Sequence, residues 1–264
     1  MLSLALKLPA GRVSGMSVRK NIVITGASSG LGEGMARRFA AMGRDLGLCA
    51  RRTGRLDELA AELRERHGVA VHTRTLDVTD HDAVFTVFGE FREELGTLDR
   101  VVINAGLGKG QPIGTGRFDA NAQTVRTNFL GALAQAEAAV EIFREQRAGH
   151  LVMVSSFSGL RGMPRNMTAY AASKAGASTL AEGIRADLHR TPIKVTTLLP
   201  GYIESEMTAR SGRTPLLTGA DAGARALVKA IEREPARAFV PAWPWAPLSL
   251  AVRAVPAGLL RRFA

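Results

Sequence analysis

Cysteine is almost absent from this 264-residue sequence, which contains only Cys49. No disulfide can therefore form within the chain. Cys49 lies in the apolar run 46–50, and this position predicts a buried thiol. A single unpaired cysteine is consistent with a reducing compartment such as the cytoplasm.

Long hydrophobic runs are also missing: no apolar stretch reaches the roughly 18 residues that a transmembrane helix needs. Residues 1–10 are apolar but too short and wrongly flanked for a secretory signal peptide. We expect residues 1–17 to be loosely ordered. Because no Pro-, Gly- or Ser-rich linker follows, we expect one catalytic domain over 18–240 and an apolar, basic tail over 241–264.

Acidic residues are outnumbered by basic ones, and the net charge is +11. Such a charge can attract nucleic acid or an anionic membrane. The basic residues are scattered and nearly all Arg, and no nucleic-acid-binding motif is present. We therefore expect no nucleic-acid partner, and no metal site is predicted.

Short apolar runs alternate with helical patterns along the chain. The runs are 21–24, 46–50, 69–73, 101–103, 151–154, 195–199 and 238–240. Helices are predicted from the residues after Gly32 to Met42-Gly43, and over 56–66, 81–94, 121–147, 168–190 and 221–232. This alternation predicts a single α/β domain of the doubly wound type, in which helices cover both faces of a parallel sheet of about seven strands. Ligands bind at the carboxyl ends of such strands.

A glycine-rich turn connects the first predicted strand to the first helix. The turn supplies the candidate cofactor-binding residues Gly26, Ser28, Ser29, Gly30, Leu31 and Gly32. Glycines permit a tight turn and let backbone N–H groups approach a pyrophosphate at the helix N-terminus. The alternative is a merely flexible turn.

Charged residues follow the second and third predicted strands. Arg51 and Arg52 follow the second, where an acid would indicate NAD and arginine indicates the extra phosphate of NADP. The alternative is that both are solvated residues at a helix start. Asp77, next to Val78, either contacts an adenine edge or caps the helix that follows Asp80.

The fourth strand is closed by a short polar turn, Asn104, Ala105 and Gly106, and the glycine-rich loop 107–116 follows. This loop is predicted to border a substrate site. Asn128 lies within the long helix predicted over 121–147, where asparagine is unfavourable. It either caps a kink or holds a water molecule.

Tyr170 and Lys174 are four residues apart, so they share one face of a helix. A neighbouring ammonium stabilises a phenolate, and we therefore expect Lys174 to lower the pKa of Tyr170 and make it an acid/base near neutral pH. Ser156, directly after the fifth strand, is positioned to bind a substrate oxygen. The alternative is an ordinary solvated Tyr–Lys pair.

Taken together, the motifs resemble those of the short-chain dehydrogenase/reductase superfamily over about residues 21–207. They are Thr25-Gly26-x-x-x-Gly30-x-Gly32, Asn104-Ala105-Gly106, Asn128, Ser156, Tyr170-x-x-x-Lys174 and Pro200-Gly201. The sequence differs from the usual family pattern in two ways. Ser156 and Tyr170 are one residue further apart than usual, which implies a longer loop near 161–166. Ser205 replaces a common threonine and keeps its hydroxyl.

The resemblance implies hydride transfer between NADP(H) and a carbonyl or secondary alcohol. Tyr170 would be the general acid/base, with Lys174 lowering its pKa and holding the nicotinamide ribose. Ser156, preferred to Ser155 and Ser158 because the family pattern is Ser-x-x-Gly, would polarise the carbonyl, and Asn128 would support a proton-relay water. The implied cofactor-binding residues also include Arg51, Asn104, Ala105, Gly106, Pro200, Gly201, Ile203 and Ser205.

Several alternatives remain open. The chain is either such an enzyme or an NADP-binding regulator without catalysis, although regulators usually lose the Tyr or Lys that this chain retains. A ketoreductase for lipid or acyl-carrier substrates is a third reading, and the resemblance implies a homodimer or homotetramer. The tail contains both tryptophans. It fits a peripheral membrane contact, a cover over the substrate pocket, a subunit contact or an ordinary packed segment.

Overall fold

The computed structural model describes residues 18–209 and 216–256. The extension 1–17 and the end of the tail, 257–264, lie outside these ranges. Seven strands are described: β1 (Asn21–Thr25), β2 (Asp45–Ala50), β3 (Val71–Thr75), β4 (Arg100–Ile103), β5 (His150–Val154), β6 (Lys194–Pro200) and β7 (Arg237–Val240). They form one parallel sheet in the order β3-β2-β1-β4-β5-β6-β7, which confirms the predicted fold class.

Nine α-helices are present in the described ranges: α1 (Gly30–Ala41), α2 (Thr53–His67), α3 (His81–Leu95), α4 (Phe118–Val125), α5 (Gly131–Gln146), α6 (Thr168–Asp187), α7 (Glu206–Ala209), α8 (Ala220–Glu232) and α9 (Ala242–Ala254). The prediction of one continuous α-helix over 121–147 is wrong in its start and in its continuity. It begins at Phe118, and a π-helical turn (Arg126–Leu130) separates α4 from α5. The helix predicted to reach residue 190 ends at Asp187.

Strand β3 begins two residues later than the predicted run, at Val71 rather than Val69. The pairing with β2 sets this start, because Val71 is the register partner of Leu46. The backbone N–H of Ala70 donates instead to the Asp45 carboxylate at 2.9 Å. Val69 is buried but lies outside the ladder.

Hydrophobic side chains cover both faces of the sheet, which explains the near-continuous apolar strands. On one face α1, α2 and α8 contribute residues such as Phe39, Leu63 and Ile231. On the other face α3, α5 and α6 contribute residues such as Phe88 and Phe143. Cys49 belongs to this second cluster, and burial raises the pKa of its thiol, so the predicted buried thiol is confirmed.

A charged network lies at the end of the sheet where the strands begin. Arg100, the first residue of β4, is 1% exposed. Its Nε donates to His150 Nδ1 at 2.9 Å, and its two Nη atoms donate to Glu232 and Glu234. Its guanidinium also lies 5.7 Å from the centre of the Phe39 ring. The network therefore joins β4 and β5 to the end of α8.

The protonation state of His150 follows from these contacts. Its Nδ1 accepts from Arg100 and its Nε2 lies 2.9 Å from the Thr196 hydroxyl, which itself donates to the Pro235 carbonyl. Burial and the nearby Arg100 charge hold the pKa of His150 well below its ordinary value. The imidazole is therefore neutral, with its proton on Nε2.

No helix in the described part of the chain is long and apolar enough to cross a bilayer.

Candidate active site

The glycine-rich turn lies between the end of β1 and the N-terminus of α1. Gly26 and Gly30 have φ angles of +64° and +56°, in the left-handed region that favours glycine. A Cβ on Gly32 would lie 2.4 Å from the Gly26 carbonyl oxygen. The turn therefore needs these glycines, and it leaves a cradle at the start of α1 of the kind that receives phosphate groups.

The residues after β4 hold this turn in place. The Asn104 side-chain amide donates to the Thr25 carbonyl at 2.9 Å, and the Thr25 hydroxyl accepts from the backbone N–H groups of Asn104 and Ala105 at 3.0 Å each. A Cβ on Gly26 would lie 2.8 Å from the Ala105 Cα. The predicted Asn-Ala-Gly turn is thus packed directly against the predicted glycine-rich turn.

The two arginines after β2 have different surroundings. Arg52 Nε donates to the Ser28 hydroxyl at 3.2 Å, and its Nη2 donates to the Ser29 hydroxyl. Arg51 points elsewhere: its side chain is 62% exposed, and its nearest acidic partner is Asp77, at 3.8 Å. Arg52 is therefore the arginine that lies on the glycine-rich turn, whereas the sequence argument gave the greater weight to Arg51.

Asp77 does not cap α3. The carboxylate of Asp80 accepts from the Ala83 backbone N–H at 3.1 Å and is the cap. Asp77 accepts instead from the backbone N–H and hydroxyl of Thr79, at 3.0 and 2.8 Å. Val78 is buried, and its carbonyl lies against the start of α5.

Asn128 occupies the π-helical turn between α4 and α5. Its amide accepts from the Leu107 N–H at 2.7 Å and donates to the Leu107 carbonyl at 2.8 Å. The same Nδ2 lies 3.2 Å from the Ser173 hydroxyl. The helix is π-helical at this point, and the Asn128 side chain fixes the loop that follows Gly106.

Lys174 is buried below the same loop, and its ammonium donates to the Val154 carbonyl at 2.9 Å. A Cβ on Gly106 would lie 3.4 Å from Lys174 Nζ and 3.5 Å from Asn128 Oδ1. Asn128 and Lys174 therefore flank Gly106 at the carboxyl ends of β4 and β5.

The two serines that follow β5, Ser155 and Ser156, have different surroundings. The Ser155 hydroxyl donates to the Lys174 carbonyl at 2.7 Å and so faces the backbone of α6. Ser156 lies close enough to Tyr170 for hydrogen bonding to act on the phenol. The structure thus brings Ser156, Tyr170, Lys174 and Asn128 to one end of the sheet.

The electrostatics of Tyr170 differ from the sequence expectation. Burial raises the pKa of Tyr170, hydrogen bonding to Ser156 acts in the opposite direction, and the nearby Tyr202 raises it further. The pKa of Tyr170 is therefore raised and not lowered as expected, because desolvation outweighs the hydrogen bond with Ser156.

Burial also lowers the pKa of Lys174, from 10.5 to about 8. The unfolded chain therefore binds more protons at this group between about pH 8 and 10.5, and the contribution of Lys174 to the free energy of unfolding increases with pH over that window. We compare the free energy of unfolding of the wild type with that of Lys174→Met. The wild-type value minus the variant value should rise by up to about 1.4 kcal/mol for each pH unit in this window. Urea denaturation across pH 8–10 measures this difference.

Lys229→Met provides the control, because Lys229 is exposed on α8. It shows how much of the effect follows from removing any one exposed lysine, and the pH dependence of Lys174→Met should exceed it. If the Lys174→Met difference depends on pH no more than that of this control, the lowered pKa is wrong.

The tail packs against the end of the sheet that carries the candidate site. The Trp245 indole lies against Gly201, where an added Cβ would be 2.0 Å from Cε2. Its ring centre is 4.7 Å from that of Phe157 and 5.5 Å from that of Tyr202. Arg161 donates to the carbonyls of Val252 and Val255 and so fixes the end of α9.

Only one side of α9 makes these contacts. Trp243 and Leu250 are 78% and 72% exposed. Among the predicted roles of the tail, the structure thus favours packing beside the site. A membrane contact could be made only by the exposed side of α9, which carries Trp243 and Leu250. Sequence reasoning noted both tryptophans but had no signal for the contact between Trp245 and Gly201.

The segment after β6 also contributes to the site. Ser205 lies next to Gly30, because a Cβ on that glycine would be 3.2 Å from the Ser205 Cβ. Ile203 is 2% exposed, and its side chain packs against Gly223 of α8 rather than facing the turn. Gly108 of the loop 107–116 lies against Met207, so this loop borders the same region, as predicted.

The strand order and the glycine-rich turn at the β1–α1 junction define a Rossmann-type α/β protein. A family model described as short chain dehydrogenase matches residues 20–216. The chain belongs to this family and is an oxidoreductase of the short-chain dehydrogenase/reductase type.

Individual proteins agree with this assignment. An uncharacterised oxidoreductase of Mycobacterium tuberculosis is 54% identical over 93% of this chain and 98% of its own length. A short-chain dehydrogenase from Sphingobium yanoikuyae in complex with NADPH has a TM-score of 0.78 at 28% identity, covering 90% of this chain and 97% of its own. NAD+-bound xylitol dehydrogenase has a TM-score of 0.67 at 28% identity, covering 74% of this chain and 77% of its own.

Proposed function

We propose that the protein is an NADP(H)-dependent oxidoreductase that interconverts a carbonyl compound and a secondary alcohol. The convergence of Ser156, Tyr170 and Lys174 beside the glycine-rich turn is the observation that carries this proposal. Bound NADP(H) supplies the hydride, and the chain's own residues bind the substrate oxygen and move a proton.

The residues fit this cofactor. The cradle formed by Gly26, Gly30 and Gly32 admits no side chain and lies at the start of α1, where a pyrophosphate is favoured. Arg52, on Ser28 and Ser29, presents a guanidinium beside the cradle. A guanidinium makes bidentate contacts with phosphate, which suits the 2′-phosphate of NADP(H).

Tyr170 acts as the proton donor during carbonyl reduction. Burial raises the pKa of its phenol, so the group retains its proton at neutral pH and has one to give. The Ser156 hydroxyl donates a second hydrogen bond to the substrate oxygen and stabilises the charge that develops there. Lys174 restores the proton to Tyr170 by way of a water molecule that Asn128 supports, since these two residues flank Gly106.

The substrate side of the site is aromatic. Phe157 and Tyr202 follow Ser156 and Gly201 directly, and Trp245 of α9 packs between them. These rings favour an apolar carbonyl compound.

The cofactor assignment is tested by isothermal titration calorimetry with NADPH and NADH. We expect the wild type to prefer NADPH, and Arg52→Ala to lose about 10- to 100-fold in NADPH affinity with little change for NADH, because a charged hydrogen bond to phosphate is lost. Arg51→Ala compares the second arginine in the same assay.

Arg66→Ala is the matched control, since Arg66 is a 68% exposed arginine at the far end of α2 that pairs with Glu62. It should leave both affinities unchanged. Equal affinity of the wild type for NADPH and NADH would contradict the NADP(H) assignment and favour an NAD-dependent enzyme.

A further inference from the structure

Glu206 lies between two arginines at the proposed phosphate site. It is the first residue of α7, on the segment that follows Gly201. Arg52 Nη1 lies 2.9 and 3.2 Å from its two carboxylate oxygens, and Arg55 Nη1 donates to the same carboxylate. A carboxylate from the substrate side of the site is thus paired with both guanidiniums at the start of α2.

Each of the three nitrogens of the Arg52 guanidinium makes one or two of these contacts. Its Nε and Nη2 donate to Ser28 and Ser29, and its Nη1 donates to Glu206. Hydrogen bonds from Arg55 and Arg52 also hold the pKa of Glu206 below its ordinary value, so the group is a carboxylate at neutral pH. The arginine that reaches the glycine-rich turn therefore already has an anionic partner from the chain itself.

A carboxylate and a phosphate seek the same donors, and two anions at one guanidinium pair repel each other. A 2′-phosphate that takes the Nη atoms of Arg52 must therefore remove Glu206 from them. The ion pairs are exposed, with side-chain exposures of 42%, 52% and 46% for Arg52, Arg55 and Glu206, so breaking them costs little. The competition should weaken phosphate binding without preventing it.

We propose that Glu206 competes with the 2′-phosphate of NADP(H) for Arg52 and Arg55, and that Glu206 thereby lowers the preference of the protein for the phosphorylated cofactor. This inference rests on the proposed NADP(H) dependence. Glu206 is a specificity-determining residue, and it acts through the two arginines that it occupies.

The same competition links the cofactor to the substrate side. Ser205 lies next to Gly30, and Met207 lies against Gly108 of the loop 107–116. When the phosphate takes the arginines, the start of α7 loses its connection to α2. The 2′-phosphate thus changes how the segment between the cofactor cradle and this loop is held.

The test is calorimetric titration of Glu206→Gln with NADPH and NADH, because glutamine keeps the shape and removes the charge. We expect NADPH to bind about threefold to tenfold more tightly than to the wild type, and NADH to change by less than about twofold. Glu204→Gln is the matched control. Glu204 is also exposed, but its carboxylate faces the Ala220 N–H at 3.4 Å rather than an arginine.

A double variant separates direct competition from a general loss of negative charge. In Arg52→Ala, the additional Glu206→Gln change should raise NADPH affinity much less than it does in the wild type. The role of Glu206 is overturned if the wild type prefers NADPH but Glu206→Gln binds it no more tightly, or if Glu204→Gln gains equally. Equal binding of NADPH and NADH by the wild type would instead overturn the NADP(H) assignment, and this inference with it.

Discussion

Replacing Tyr170 with phenylalanine should lower turnover by about 10²- to 10⁴-fold, the contribution typical of a general acid. The substitution removes one hydroxyl and keeps the ring, so packing around α6 is retained. Because we propose that the phenol donates a proton and does not bind the cofactor phosphates, NADPH affinity should stay within a few-fold of the wild type. Steady-state NADPH oxidation with an apolar ketone that the wild type reduces measures the first effect, and calorimetry measures the second.

Tyr202→Phe is the matched control, since the chain has only two tyrosines. Tyr202 lies beside Trp245 and does not share a helix with Lys174, so its loss of a hydroxyl should cost far less turnover. Wild-type turnover in Tyr170→Phe would remove Tyr170 from the mechanism. Loss of both turnover and NADPH binding would show instead that the Tyr170 hydroxyl is needed to hold the cofactor.

The second large effect is expected far from the site, at Arg100. Arg100→Met should lower the free energy of unfolding by about 3 kcal/mol, because it removes a buried guanidinium from a charged network. The carboxylates of Glu232 and Glu234 are partly buried, and each keeps one other arginine, Arg44 and Arg19 respectively. Glu232 and Glu234 lose a guanidinium, and His150 loses the donor to its Nδ1. Equilibrium urea denaturation followed by circular dichroism measures the loss.

Arg92→Met serves as the comparison, since Arg92 pairs with Glu145 at the surface, where their side chains are 39% and 55% exposed. Its cost should not exceed about 1 kcal/mol. If the two variants lose equal stability, the burial of Arg100 adds nothing to the stability that its ion pairs contribute. The network lies at the beginning of the strands, so NADPH affinity of folded Arg100→Met should match that of the wild type.

The sheet and the glycine-rich turn were predictable because their signals are local. A parallel strand buried on both faces is an apolar run, and the turn that follows β1 shows its glycines within a few residues. The boundaries were less predictable. Val69 and Val71 look alike in the sequence, and only the pairing of Leu46 with Val71 determines where β3 begins.

Contacts between distant residues carried no such signal. Asn128 binds Leu107, 21 positions earlier, and Arg52 binds Glu206, 154 positions later. Neither partner is marked by a motif, so the sequence argument favoured Arg51 over Arg52. Both contacts arise because parallel strands bring their carboxyl ends to one edge of the sheet.

The pKa of Tyr170 shows a second limit. Four-residue spacing places Lys174 on the same helical face, but spacing does not reveal how much water each group loses. Burial shifts both groups toward their neutral forms, upward for the phenol and downward for the ammonium. The expected direction for Tyr170 was wrong because desolvation is a property of the folded surroundings.

The position of α9 has an optical consequence. Both tryptophans of the chain are in this helix, one 78% exposed and the other 4% exposed against Phe157 and Tyr202. Intrinsic indole emission therefore reports on the tail and on the substrate side of the site, and not on the sheet. A spectral shift during denaturation would record the release of α9 from Gly201, and quenching on addition of a carbonyl compound would report its arrival beside Trp245.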